Sequence, residues 1–150
     1  MSPSVSHLQQ SSLFITPMSA MNAATDLTFT APGLHGQLAQ LSPEQLDRLD
    51  FGVIGFDADT RVVQYNQTES EAAGLTAQRV LGQPLFTNVA PCLNNFMVAQ
   101  RFEDAQDEAS TLDDTIDYVL TLRMRPVKVK LRLLAAPDGD KRYVLVQRKL

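Results

Sequence analysis

The C-terminal third of the chain alternates apolar and polar positions with a period of two. Ile116, Tyr118, Leu120, Leu122 and Met124 form one such run, and Val127, Val129, Leu131 and Leu133 the next. That period predicts strands with one buried face. Pro126 bends or breaks the register between the two runs. Pro137-Asp138-Gly139-Asp140 reads as a hairpin turn, and 143–148 as a last strand. The interleaved charges Arg123, Arg125, Lys128, Lys130 and Arg132 are then expected on the solvated face of the sheet. Upstream, 51–56 and 61–65 are two more strand-like runs joined by a turn at Asp57-Ala58-Asp59-Thr60, a hairpin that delivers Tyr65 to a strand end.

Other segments carry helix signals. Ser42-Pro43-Glu44-Gln45 places a serine N-cap, a proline at the first helical position and a glutamine able to close a capping box, for a short helix ending near Leu49. Asn66 can cap 67–73, with Glu69 in the first turn and Gly74 as a left-handed stop. Thr76 can cap a second piece that stops at Gly82, while Pro84 and Pro91 keep 83–92 irregular. A longer helix is expected over 94–108, with Phe96, Ala99, Phe102 and Ala105 on one face and the two phenylalanines in the core; a turn at Leu112-Asp113-Asp114 follows. Two strands, several helices and three strands predict an α+β fold: a five-stranded antiparallel sheet with helices on one face. Residues 1–33 show no sustained period and read as an extension, loosely ordered or docked. Residues 34–150 read as the domain, with 34–50 as an N-terminal cap and 51–150 as the core.

Composition narrows the chemistry. With 150 residues, 44 % apolar and 20 % charged, the chain suits one globular domain. A net charge of −4 gives no basic face for nucleic acid. The only histidines, His7 and His35, precede the patterned region, and the single Cys92 can form neither an intrachain disulfide nor a zinc cluster, so no metal is expected. There is no glycine-rich phosphate loop and no nucleophile-elbow motif, and the expectation is that this is not an enzyme. The first basic residue is Arg48, which argues against a secretory or transit leader. No apolar run approaches the roughly 18 residues of a membrane span. A cytoplasmic location follows as the default expectation.

What remains is a thiol, a phenol and a carboxyl group. Tyr65-Asn66 and Glu69, then Gly74, Val80 and Gly82, then Val89-Ala90-Pro91-Cys92, together with Met124-Arg125-Pro126-Val127-Lys128-Val129-Lys130, closely resemble the photoactive yellow protein family of PAS-type blue-light receptors. The likeness covers about residues 34 to 150. It implies the PAS fold and p-coumaric acid held as a thioester on Cys92, with Tyr65 and Glu69 hydrogen-bonded to its phenolate. The implied pocket is lined by Ala73, Leu75, Leu85, Val89, Ala90, Leu122 and Met124. In the family, light isomerises the chromophore from trans to cis. The glutamic acid then protonates the phenolate, and the buried negative charge left behind loosens the N-terminal cap. A phenolate in an apolar pocket pays a desolvation cost that two charge-assisted hydrogen bonds offset, which requires Glu69 to be neutral in the dark.

Three departures fall near that site. Ala73 and Leu75 stand where the family usually has a threonine supporting the tyrosine network and an arginine lid, and Leu122 stands where the type member has an aromatic residue. Met124 matches a position that affects thermal return, and reads equally well as one more inward residue of a strand. Two other readings stay open: a chromophore-free PAS-type interaction module, and a thiol enzyme using Cys92, which lacks a nearby histidine to activate it. The partner is expected to be a downstream signalling protein, with no nucleic acid and no membrane, and the chain itself a monomer or weak dimer.

Overall fold

The computed structural model describes residues 27–121 and 125–148. Leu122, Arg123 and Met124, and the extension up to residue 26, lie outside the described residues. Helices α1 (Leu34–Ala39) and α2 (Pro43–Asp47) come first, then strands β1 (Gly52–Phe56) and β2 (Val62–Tyr65). Helices α3 (Gln67–Ala73) and α4 (Ala77–Val80) follow, then a π-helical turn at Leu85–Val89, a 3₁₀ turn at Pro91–Leu93 and helix α5 (Ala99–Asp107). Strands β3 (Leu112–Leu120), β4 (Val127–Ala135) and β5 (Arg142–Gln147) complete one antiparallel sheet in the order β2-β1-β5-β4-β3. This is the α+β arrangement expected from the period changes.

The local signals account for many of these boundaries. Ser42 and Gln45 close the capping box on α2. Asn66 caps α3 by accepting from the Glu69 N–H, and Gly74 ends that helix at φ 76°, a conformation that glycine reaches without strain. Helix α5 begins later than the apolar spacing predicts. Asn95 Oδ1 accepts from the N–H groups of Met97 and Val98, an Asx-type turn that competes with helix over 94–98. Phe96 is left 79 % exposed rather than in the core. Leu112-Asp113-Asp114 is no turn either: Leu112 is buried, and all three residues pair with β4.

Both faces of the sheet are covered. Ile54, Phe56, Leu131, Leu133, Val144 and Val146 face the helices and the loop with Cys92, forming the principal core with Phe102 and Phe86. The opposite face, with Val53, Leu134, Tyr143 and Leu145, is covered by the segment before β1, through Phe29, Leu34, Leu38, Leu46, Leu49 and Phe51. Phe29 meets Phe51 edge-on at 6.0 Å. His35, in α1, donates from Nε2 to Lys141 O (2.8 Å) and stacks edge-on against Tyr143. It serves packing here.

That second layer overturns one expectation about the basic residues of β4. Arg132 is buried, 6 % exposed, rather than solvated. It pairs with Leu145 in register, so it points into the layer beneath the N-terminal segment. There it donates to both oxygens of Asp113 and to the carbonyls of Phe29 and Ala31. A buried guanidinium needs such a set of acceptors.

Candidate functional site

The site begins with Asn66, at the end of the first hairpin. Its side chain is fully buried and satisfied four ways. Oδ1 accepts from the Val53 and Glu69 N–H groups (2.9 and 3.0 Å), and Nδ2 donates to the carbonyls of Leu46 and Phe51 (2.9 and 3.1 Å). Thr68 Oγ1 donates to Leu49 O, and the Gln67 N–H to Asp47 Oδ1. The first turn of α3 is therefore stitched to α2, β1 and the segment between them, which fixes where Glu69 points.

Glu69 points inward and is 1 % exposed. It lies over Gly52, where a Cβ would stand only 2.0 Å from its Oε1, so the carboxyl group occupies space that only glycine leaves open. Its partner is Arg148. Nη1 donates to Oε1 at 2.8 Å and Nη2 to Oε2 at 3.0 Å, a bidentate pair. Val146 pairs with Gly52, so Arg148, two residues further on, continues the parity of the inward-facing Val144 and Val146. Both oxygens accept from a group that can only donate, which is how a carboxylate binds a guanidinium.

Tyr65 sits beside this pair. Burial pushes its phenol well above the usual tyrosine range; the Glu69 carboxylate adds to the effect and the Arg148 guanidinium opposes it. The phenol is therefore a hydrogen-bond donor at any ordinary pH. Tyr65, Glu69 and Arg148 form one electrostatic group under the first hairpin.

Cys92 is a free, partly buried thiol on the 3₁₀ turn. It lines a cleft of about 580 Å³ with Ala73, Leu75, Asn88, Val89, Pro91 and Thr121. Its backbone is pinned from β3: Tyr118 Oη donates to Cys92 O, and Asn95 Nδ2 donates to Tyr118 Oη (2.6 Å) and Cys92 O (3.2 Å). Of the expected pocket residues, Ala73, Leu75 and Val89 meet Cys92 in this cleft. Leu85 and Ala90 are buried in the principal core, which also holds Tyr65 and packs against Cys92. Two of the three positions that depart from the family pattern, Ala73 and Leu75, are thus at the cleft. Sequence reasoning missed Arg148, Tyr118 and Asn95. The available signal for Arg148 was its parity: a basic residue in step with two inward valines of the last strand.

Comparison with known proteins agrees with this geometry. A PAS fold family model matches residues 46–148. The photoactive yellow protein of Halochromatium salexigens is 32 % identical over 120 residues, 80 % of this chain and 95 % of that protein. That of Rhodothalassium salexigens is 30 % identical, over 81 % of this chain and 97 % of its own. Among solved structures, the photoactive yellow protein domain of the sensor histidine kinase Ppr from Rhodospirillum centenum superposes with a TM-score of 0.69 at 34 % identity, covering 75 % of this chain and 97 % of that one. The chain belongs to the photoactive yellow protein family of PAS-fold photoreceptors.

Proposed function

We propose that this chain is a blue-light receptor that carries p-coumaric acid as a thioester on Cys92. The observation that carries the reading is the placement of the thiol: free, partly exposed, and set in a cleft with Ala73, Leu75 and Val89. Its 580 Å³ falls within the size of small-ligand sites. Sγ displaces the leaving group of an activated p-coumaroyl ester, its proton passing to that group or to solvent. When bound, the group supplies blue absorption and light-driven trans-to-cis isomerisation.

The chain's residues do the rest. Tyr65, kept protonated by burial, donates to the phenolate, and Glu69 is the acid that shares and then gives up a proton. Leu75 excludes water from the cleft and offers no hydrogen bond, so Leu75→Arg is expected to shift the absorption maximum and the recovery rate. An unchanged spectrum and recovery would remove that role. The signal leaves through the first turn of α3, whose hydrogen bonds to residues 46–51 reach the N-terminal cap. Residues 1–48 are expected to lose hydrogen-exchange protection on illumination; equal protection in light and dark would refute this route. Output then passes by contact with another protein. The family is one of sensors rather than catalysts.

The deciding experiment is a visible spectrum after adding activated p-coumaric acid to this protein and to Cys92→Ala, before and after a blue flash. A blue band that requires Cys92, bleaches and recovers supports the reading. Absence of any band rejects it in favour of a chromophore-free PAS interaction module.

A further inference from the structure

We propose that Arg148 is the resident counter-ion of this site: it holds Glu69 as a carboxylate, so that Glu69 must gain a proton when a second anion is admitted beside Tyr65. Three observations meet here. Arg148 binds both oxygens of Glu69, leaving neither free to carry a proton without loss of a hydrogen bond. Glu69 is 1 % exposed, so its charge is compensated by the protein and not by water. Gly52 leaves the space that this pairing needs.

Among the described residues, few charged or titratable groups face this carboxylate. Strand β1 contributes none, β2 contributes the Tyr65 phenol, and the residue after β5 contributes the Arg148 guanidinium. Asp47 of α2 is occupied by the Gln67 N–H. Among the described residues the local sum is therefore one cation and one anion.

The consequence for ligand loading rests on the thioester reading above. A phenolate placed beside Tyr65 makes two anions for one cation in a buried space. The ligand enters as a neutral phenol, so the proton that its oxygen gives up adds to a carboxylate oxygen of Glu69, and the net charge stays near zero. When Glu69 later gives that proton to the phenolate, Arg148 recaptures the carboxylate. The buried charge left behind is a paired one, unlike the unpaired anion expected to loosen the cap in the family. Arg148 is here a positioning residue that acts through Glu69.

The test is infrared spectroscopy of the full chain before and after loading with activated p-coumaric acid. Glutamate labelled with ¹³C and the variant Glu69→Gln assign the carbonyl stretch of protonated Glu69. Before loading, the wild-type protein is expected to lack that band, Arg148→Met to show it, and Arg148→Lys to lack it again because the charge is restored. On loading, the wild type is expected to gain the band. A protonated Glu69 in the unloaded wild type would overturn the proposal, as would loading without gain of the band. Both of these measurements use the wild-type chain, so they stand even where Arg148→Met does not fold. If no blue band forms, the thioester reading fails while the unloaded measurement still decides whether Arg148 sets the charge of Glu69.

Discussion

Two arginines leave the same sheet on opposite faces, each to a bidentate carboxylate, and the two pairs are built in opposite senses. Arg132 of β4 is itself buried, and its acid, Asp113, has a side chain 48 % exposed. The Arg132 hydrogen bonds hold the Asp113 carboxyl below the usual aspartate range, with partial burial working against them. Asp113 would remain a carboxylate at neutral pH without its partner, because water reaches it. Glu69 inverts this: the acid is buried and the cation is the partly exposed member, with a side chain 23 % exposed. The first pair fastens a backbone segment, since Arg132 also holds the Phe29 and Ala31 carbonyls. The second sets a charge. Which partner is buried decides which role a salt bridge takes.

Removing one member of each pair separates the roles, and the largest effect is expected at Arg148. Arg148→Met removes the counter-ion, so that the buried Glu69 must be held as a neutral acid, a change that costs about 3 kcal/mol at neutral pH. The deficit should shrink as the solution is acidified, because a neutral carboxyl group tolerates burial better than an anion. Urea unfolding at neutral and at mildly acid pH reads both. Equal deficits at the two pH values would mean that the pair contributes packing and not charge.

Next comes the space beneath the pair. Gly52→Ala puts a methyl group where Glu69 Oε1 now sits, 3.0 Å from Cδ and 3.2 Å from Cβ of the same side chain. Overpacking of this kind costs about 2 kcal/mol. Most of that is expected to be recovered in the double variant Gly52→Ala with Glu69→Ala, since the clash is with the glutamate alone. Thermal melts of the four chains close the cycle. Additive losses would show that Gly52 matters to the strand itself.

The comparison also explains what was legible before any coordinates. Alternation marked the strands because burial on one face enforces a period of two, and the caps at Ser42, Asn66 and Gly74 work through bonds local in sequence. The thiol, phenol and carboxyl group were legible as a set through their family likeness. Neither arginine pairing could be seen, for one reason. Arg132 lies 101 to 103 residues from the carbonyls it holds, and Arg148 lies 79 from Glu69. Alternation told only that each sat in or beside a strand. The fate of Arg132 depends on a second layer being present over its face of the sheet, and residues 27–50 supply that layer with spacing too irregular to advertise it. Phe96 misled in the other direction, because helical spacing was extended through an Asx turn that Asn95 imposes.

A smaller effect is expected where the exposed acid is changed. Asp113→Asn keeps the Arg132 bonds to the Phe29 and Ala31 carbonyls and removes only a partly exposed charge pair, so a loss of about 0.5–1 kcal/mol is expected at neutral pH. The sign with pH follows from the depressed value in the folded chain. The contribution of the carboxylate is fully present above the ordinary aspartate range and is lost as pH falls through and below it. The two chains should converge in stability in strong acid. A gap that stays constant down to that range would assign the effect to shape and not to charge.

The smallest effect is expected at Phe96, which belongs to neither pair. Its ring is exposed, whereas Phe102, on the helix that follows, is buried and meets Phe56 edge-on at 4.9 Å. The apolar contribution of a side chain comes from area removed from water, and Phe96 removes little. Phe96→Ser should change unfolding free energy by no more than about 0.5 kcal/mol, the range of surface substitutions. It should also leave both arginine pairs intact, so the pH dependence of Arg148→Met must survive in its background unchanged. Urea midpoints of the single and double variants test this. A loss well above that range would mean that Phe96 does cover apolar surface, and the neighbouring face formed by Met97, Val119 and Val129 is where that surface would lie.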